Sequence, residues 1–306
     1  MRHLNSLLEL KPSDIEAIFG LARALKERVG KGDRPQILSG YVMAQVFEKP
    51  SLRTRLSFDA AMMQLGGASI FLNAKDAGLG SREAIPDVAR VIGGYSDVIT
   101  LRTFSQKLID TFIEHSGVAV INGLSDERHP CQALTDIFTM QEVLGQLRGE
   151  KCVFVGDGNN VASSLAIAAT LCGMSFTVCA PEGYRLDEKF LKALTKKFPE
   201  ADVVQTDNFK SALKGAAIVY TDVWTSMGQE AEAEERQKVF DRYQVNESLM
   251  KLAPKSCRFM HCLPAKRGQE VTDGVIDGAQ SIVFQQAQNR MHLAKGLLLW
   301  VLEKTL

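Results

Sequence analysis

Several short stretches of this chain carry side chains whose types and spacing could do chemistry. Glu48-Lys49-Pro50-Ser51-Leu52-Arg53-Thr54-Arg55 follows an apolar run and opens a helical pattern. The first N–H groups of a helix lack intrahelical partners, and the helix dipole favours an anion there. Ser51 and Thr54 add hydroxyl donors, and the Arg53 guanidinium fork suits phosphate. The bland alternative is a capped helix with solvated arginines. Leu101-Arg102-Thr103 closes a strand-like run; taken singly, Arg102 reads as a surface arginine. In His129-Pro130-Cys131-Gln132, histidine and glutamine three apart share a helix face. The imidazole would polarise a carbonyl oxygen, and the amide oxygen would accept from an –NH₂ group. Taken alone, His129 reads as structural or solvated.

The second half of the chain supplies a different set. Gly156-Asp157-Gly158-Asn159-Asn160 follows a strand, but the dinucleotide fingerprint needs a third glycine where Val161 stands. The two asparagines suit a carboxylate or an amine better than a pyrophosphate. Asp222 follows another apolar run and is suited to an ammonium group. The loop beyond it, with Thr225-Ser226-Met227-Gly228, could swing as a lid, although Ser226 also fits a helix N-cap. The Glu230–Arg236 run reads as a solvated helix face. His261-Cys262-Leu263-Pro264 places a thiol at a strand end, where an inert buried cysteine is the ordinary expectation. Arg290 falls in the last helical pattern, where a solvated arginine is its ordinary reading.

The elements that must position these groups alternate. Ser13 and Glu16 suggest a capping box opening a helix to about Val29. Strand-like runs at 41–47, 69–72, 97–101 and 118–121 alternate with helical patterns at 53–65, 84–95, 106–115 and 131–145. The pattern restarts near Lys151, with buried runs at 152–155, 176–179, 202–205, 217–220 and 258–261, and a final helix over about 285–304. Such alternation demands parallel sheets with helices on both faces. The expected fold is therefore α/β, with two doubly wound parallel-sheet domains. Ligands of such sheets bind beyond the carboxyl ends of the strands, so the inter-domain cleft is the expected site.

Composition narrows the partners. The chain has 306 residues, with Lys+Arg 36 and Asp+Glu 36, so its formal net charge is zero. Neutrality argues against nucleic acid or an anionic membrane as a partner. No apolar run reaches the ~18 residues of a membrane span. The N-terminus reads as no secretory signal, and the six cysteines form no CxxC pair. Reduced thiols in a cytoplasmic protein are the expectation.

In this order the motifs resemble the aspartate/ornithine carbamoyltransferase superfamily, over about Leu4 to Val301. Its S-x-R-T-R loop is Ser51-Leu52-Arg53-Thr54-Arg55, and its H-P-x-Q is His129-Pro130-Cys131-Gln132. The aspartate branch would carry H-P-G-P-x-N-R-G near the C-terminus. His261-Cys262-Leu263-Pro264, with Asp222 and Ser226-Met227-Gly228, resembles the ornithine branch. The resemblance implies a carbamoyl-phosphate domain over 1–138, completed by a C-terminal helix at 286–306 that packs back on it, and an ornithine domain over 139–285. It implies carbamoyl transfer from carbamoyl phosphate to L-ornithine, giving L-citrulline and phosphate. No metal and no cofactor are implied. A homotrimer is implied, with each site near a subunit interface.

The implied roles fall on matching positions. Ser51, Leu52 (through its backbone), Arg53 and Thr54 would hold the phosphate. Arg102 would bridge the phosphate and the carbonyl oxygen. His129 would donate to that oxygen, and Gln132 would accept from the carbamoyl –NH₂. Cys262 and Leu263 would line the carbamoyl side, with a cis Leu263-Pro264 bond, and Arg290 would close it. Asn160, Asp222, Ser226 and Met227 would take the α-amino and α-carboxylate groups of ornithine. Arg53, Arg102, His129 and Cys262 would act in catalysis. One stretch departs from the family pattern D-x-Q-L-G-x-G-E: Gly78 stands where relatives carry a glutamine that reaches a neighbouring subunit's phosphate. Ser81 or Arg82 is expected to take over that contact. A carbamoyltransferase with another amine acceptor and a non-catalytic binding paralogue are the alternatives.

Overall fold

A computed structural model of the chain describes residues 1–306 except Asp76, Ala77, Gly80, Ser81 and Met227. It divides into two compact units, one of Met1–Thr135 with Gln288–Leu306, the other of Asp136–Ala287.

The first unit begins with a short 3-10 turn at Leu7–Glu9 and helix α1 (Pro12–Gly30). The start of α1 differs from the expected Ser13 box. Lys11 is the N-cap, Pro12 opens the helix, and the Asp14 side chain accepts from the Lys11 N–H at 2.9 Å. Proline is preorganised for that first position and lacks the N–H that would go unused there. Strands and helices then alternate: β1 (Val42–Phe47), α2 (Leu52–Gln64), β2 (Ala68–Asn73), α3 (Ile85–Tyr95), β3 (Val98–Arg102), α4 (Gln106–His115) and β4 (Ala119–Leu124). β1 and β3 are apolar and almost entirely buried, as strands covered on both faces must be. All pairings are parallel, in the order β2-β1-β3-β4. The order reverses between β1 and β3, so the loops after these two strands flank the switch point where such sheets bind ligands.

Helix α5 (Pro130–Leu144) carries the chain into the second unit. There follow β5 (Lys151–Val155), α6 (Asn160–Leu171), β6 (Ser175–Cys179), α7 (Glu188–Lys197), β7 (Val203–Thr206), α8 (Phe209–Leu213) and β8 (Ile218–Thr221). Helices α9 (Ala233–Phe240) and α10 (Glu247–Met250), strand β9 (Arg258–His261) and helix α11 (Asp273–Ile276) complete it. This sheet is also parallel, in the order β7-β6-β5-β8-β9. Its switch point lies between β5 and β8, beside the Gly156–Asn160 loop and Asp222. Gly158 has no room for a side chain, because a Cβ there would lie 2.5 Å from the Arg185 carbonyl carbon. The core gathers Val153, Val155, Val219, Trp224, Phe240, Tyr243 and Phe259.

The last helix, α12 (Val283–Val301), returns to the first unit from Gln288 onward. It buries Leu293, Leu297, Leu298 and Trp300. A Cβ on Gly296 would lie 2.5 Å from the Ile18 carbonyl oxygen, so glycine is what lets α12 approach α1 so closely. Two parallel α/β units are what the alternation required, and the return of the C-terminal helix to the first is what the resemblance implied.

Candidate active site

In the first unit the chemistry sits around the amino end of α2. Ser51 is its N-cap, extended at φ −158°, and its Oγ accepts from the Thr54 N–H at 3.2 Å. This capping geometry turns the first helical N–H groups outward beside the half-buried Arg53. Thr54 is buried, and its hydroxyl accepts from both neighbouring guanidiniums, Arg290 at 2.9 Å and Arg102 at the outer limit of 3.5 Å. With both lone pairs used, its proton remains a donor.

Arg102 is buried, not the surface arginine its position alone suggested. The β3–β4 register shifts between Leu101 and Arg102, an irregularity of the kind that re-aims a side chain at a strand end. Arg290 is likewise buried rather than solvated, and its guanidinium also donates to the Gln132 side-chain oxygen. His129, again buried and not solvated, lies in the field of both arginines. Burial first, and then Arg290 and Arg102, hold its imidazole well below the usual histidine range. It is therefore neutral near pH 7 and acts as a hydrogen-bonding dipole, not as a cation. Helix α2, strand β3, helix α5 and helix α12 thus bring Thr54, Arg102, His129, Gln132 and Arg290 together. Two buried guanidiniums sharing one hydroxyl form a pocket of positive potential suited to an anion.

In the second unit the centre is Asp222, buried just beyond β8. Its Oδ1 accepts from the Val223 N–H at 2.8 Å and from the Cys262 thiol at 3.0 Å. Its Oδ2 accepts from Asn159 Nδ2 at 3.1 Å. Asn159 is also the N-cap of α6, where its Oδ1 accepts from Val161 and Ala162. Asn160, the asparagine singled out above, is half-buried in the first turn of α6. Ser226 is half-buried, and it is its N–H that is engaged, donating to Gln229 Oε1 at 3.1 Å. Met227 lies outside the described residues, as does Ser81; Arg82 is exposed.

Cys262 is half-buried. Burial and the adjacent Asp222 carboxylate push its thiol well above the ordinary range, so it is a donor and not a thiolate at neutral pH. Leu263, with φ +57° and a cis bond to Pro264, is held by its N–H donating to His261 Nδ1 at 2.8 Å. The other nitrogen of His261 meets Glu270 Oε1 at 3.1 Å, and both side chains are fully buried. Asp222, His261 and Cys262 put possible ligand atoms within 4.8 Å of one another. However, both ring nitrogens and the thiol are already engaged within the protein, so the trio is a hydrogen-bonded cluster.

Arg236 corrects the expectation of a solvated face over Glu230–Arg236. It is 4% exposed and paired with Asp157, and its Nε donates to the Trp224 carbonyl at 2.5 Å. Its guanidinium packs over the rings of Tyr184 and Phe240. Because α9 turns this one residue inward, the Gly156–Asn160 loop and the loop after Asp222 are tied to one cation. Only the tertiary partners could reveal it, because the surrounding run is rich in charge. Burial outweighs the attraction of Arg236 and raises the Asp157 carboxyl to about 6. Arg236→Met would leave Asp157 buried without its cation and should cost about 3 kcal/mol, the lower end for breaking a buried pair. Adding Asp157→Asn should recover much of that loss in denaturant midpoint. No recovery would mean that Arg236 acts by packing and not by charge.

Comparison with known proteins agrees with this architecture. Residues 2–142 match the aspartate/ornithine carbamoyltransferase carbamoyl-P binding domain, and residues 148–301 match the Asp/Orn binding domain of the same family. The chain is 46% identical over 299 residues to an ornithine carbamoyltransferase of Anoxybacillus flavithermus, covering 97% of this chain and 95% of that protein. It is 47% identical over 306 residues to the anabolic ornithine carbamoyltransferase of Pyrococcus furiosus, covering 98% and 96%. The solved structure of ornithine carbamoyltransferase from Pyrococcus furiosus superposes with a TM-score of 0.95 at 45% identity, covering 100% of this chain and 98% of that one. Matched from end to end in sequence and in both sheets, the chain belongs to the aspartate/ornithine carbamoyltransferase family.

Proposed function

We propose that this protein is an enzyme that transfers the carbamoyl group of carbamoyl phosphate to the δ-amine of L-ornithine, giving L-citrulline and phosphate. The observation that carries the reading is the pair of buried guanidiniums, Arg102 and Arg290, converging on Thr54 beside the amino end of α2. Carbamoyl phosphate is a dianion, and Ser51, the Leu52 N–H, Arg53 and Thr54 hold its phosphate. Arg53, Thr54, Arg102 and His129 stabilise the negative charge that builds on the carbonyl oxygen as the amine attacks. The Gln132 oxygen, which accepts from Arg290, is assigned to the carbamoyl –NH₂ as well. Cys262 and Leu263 are assigned to the carbamoyl group.

Asp222, Asn160, Ser226 and Met227 take the amino-acid end of ornithine. Asn159 joins them as the residue that orients Asp222. An alkyl ammonium titrates near 10.4, so exposing a neutral amine at pH 7.5 costs about 4 kcal/mol. Fixing the α-amino and α-carboxylate groups selects the molecule whose δ-amine is neutral. A thiol held protonated accepts no proton, so the departing phosphate takes the proton of the attacking amine.

On this reading the first unit serves carbamoyl phosphate and the second serves ornithine, with the functional division at 1–138 plus 286–306 and at 139–285. No helix among the described residues is long and apolar enough to cross a membrane; a cytoplasmic, arginine-producing role is read from the similarity to the anabolic ornithine carbamoyltransferase of Pyrococcus furiosus. A homotrimer fits the apolar surface of α2 and the sheet-edge strand β2, where Leu52 is 68% and Met63 66% exposed and Leu56 and Ile70 lie open beside them. Exposed Arg82 is assigned to the partner subunit's phosphate site in place of the missing glutamine.

The test is product formation from carbamoyl phosphate with L-ornithine, L-aspartate, putrescine or N-acetylornithine, on a preparation whose mass is read by light scattering. Citrulline from ornithine alone, made by a trimer, is expected. Product from a different amine would overturn the reading of the second unit, and no product from any would favour a binding paralogue. A single-chain mass would overturn the trimer.

A further inference from the structure

The loop that delivers His129 to the site is held by a chain of polar side chains that the assignments above do not use. Ser125, just beyond β4, is fully buried. Its N–H donates to the Arg128 carbonyl at 2.8 Å, and its Oγ accepts from the Arg128 N–H at 3.1 Å. One serine therefore fixes both backbone polar groups of the residue that precedes His129. The His129 carbonyl accepts from the Ala133 N–H at 3.2 Å, at the start of α5. Asp126 is anchored separately, by its ion pair with Lys49 and by its N–H donating to the Phe104 carbonyl at 3.0 Å.

The Ser125 hydroxyl is held in turn by Gln106, the first residue of α4. Gln106 Oε1 accepts from Ser125 Oγ at 2.8 Å and from Asn122 Nδ2 at 3.3 Å. Gln106 Nε2 donates to Asn5 Oδ1 at 2.5 Å and lies 3.4 Å from Asp110 Oδ1. Asn5 Nδ2 donates to the same Asp110 oxygen at 2.9 Å. Gln106, Asn122 and Ser125 are buried, whereas Asp110 is exposed.

This chain has a direction. A carboxylate only accepts, so Asp110 draws Asn5 Nδ2 toward itself and leaves Asn5 Oδ1 facing Gln106. That oxygen takes the Gln106 amide N–H, which leaves Gln106 Oε1 facing Ser125. The Ser125 proton goes to that oxygen, so a lone pair of the hydroxyl meets the Arg128 N–H. An apolar side chain at 106 would remove the acceptor that fixes this orientation. The stakes lie one residue further on. His129 is a neutral imidazole with a single N–H to give, so the stance of its ring decides whether that N–H meets a carbonyl oxygen.

We infer that Gln106 and Ser125 are positioning residues that fix the 125–128 loop and so aim the His129 imidazole. The catalytic meaning rests on the carbamoyltransferase reading, in which His129 donates to the carbonyl oxygen; the ordering of the loop does not.

The experiment compares Gln106→Met, Ser125→Ala and the double variant as full-length proteins, by amide hydrogen exchange and by steady-state citrulline formation. In each variant the peptide over 125–131 should exchange about tenfold faster, while β3 and α2 keep the parent rate. kcat should fall about tenfold, less than the roughly 10²-fold that a shift of ~1 Å can cost, because Asp126 keeps its own anchors. The ornithine KM should stay within about twofold, because ornithine is assigned to other residues. The double variant should lose no more than either single one, because both act on one hydrogen-bonded path. Unchanged exchange over 125–131, a kcat at the parent level, or losses that multiply in the double variant would each overturn the inference. So would an ornithine KM that rises in step with the fall in kcat, which marks general damage to the fold. If Gln106→Met does not fold, Ser125→Ala decides alone by the same exchange and kcat readings. The exchange measurement uses neither substrate. Unaltered protein that makes no citrulline refutes the carbamoyltransferase reading, and the ordering of the His129 loop then stands or falls on the exchange alone.

Discussion

Arg53→Ala should reduce kcat/KM for carbamoyl phosphate by about 10³-fold or more while leaving the fold intact. Arg53 stands in the first turn of α2, where the helix N-terminus, the Ser51 cap and the Thr54 hydroxyl already favour an anion. On the proposed assignment its guanidinium supplies a donor pair where charge moves from the carbonyl oxygen to the leaving phosphate. Removing one preorganised donor to a developing oxyanion costs about 10²- to 10³-fold, and here a full charge is lost as well. Arg53 is only half-buried, so thermal stability should change little. The measurement is steady-state kinetics with both substrates varied, beside a thermal melt. Activity near the parent level would sink the phosphate assignment. A collapsed melt would show that Arg53 holds the fold instead.

The second large effect is expected from Asp222→Ala, which should raise the ornithine KM by about 10²-fold, the scale for truncating one member of a buried charge pair. The carbamoyl phosphate KM should move less than about threefold, because the proposed assignment gives Asp222 to the other substrate. Asp222 receives hydrogen bonds from Val223, Asn159 and Cys262, all neutral donors. Removing it therefore strands no cation of the protein, and the loss measured is the loss of the substrate's ammonium partner. Asp222→Asn separates charge from shape: it should retain the packing and still lose most of the affinity. Equal effects on both substrates would contradict the placement of Asp222 in the amino-acid half.

Much of this was legible in the residues themselves. Strand–helix alternation is written in short apolar runs and helical periods, and those runs fall on the nine parallel strands found among the described residues. The motif residues were legible because their chemistry is conspicuous at strand ends. Arg102, His129 and Arg290 were less so: taken singly, each reads as structural or solvent-facing, and only the order of the motifs set them apart. The buried polar partners were not legible at all. Asp136 sits inside an apolar helix and Tyr220 inside an apolar strand, so periodicity marks both as core. Arg236 sits in a run of charges, so composition marks it as surface. In each case the deciding fact is a partner 79 or 84 residues away in the chain for Arg236 and Tyr220, and 150 residues away for Gln286 and Asp136.

The sequence by itself determined the elements, the two parallel sheets and the chemical types gathered at their carboxyl ends, because burial and periodicity act over a few residues at a time. It also excluded, through the missing third glycine at Val161, a dinucleotide fingerprint after β5. Tertiary structure alone decided which strand lies beside which. The orders β2-β1-β3-β4 and β7-β6-β5-β8-β9 set the Ser51 loop beside Arg102 and the Gly156–Asn160 loop beside Asp222. It also decided what each charge faces: Arg290 and Arg102 on one hydroxyl, Arg236 on Asp157, and Asp136 on the Tyr220 hydroxyl. Proton state and orientation follow from those neighbours, because in a buried site desolvation and the nearest charges outweigh a side chain's intrinsic preference.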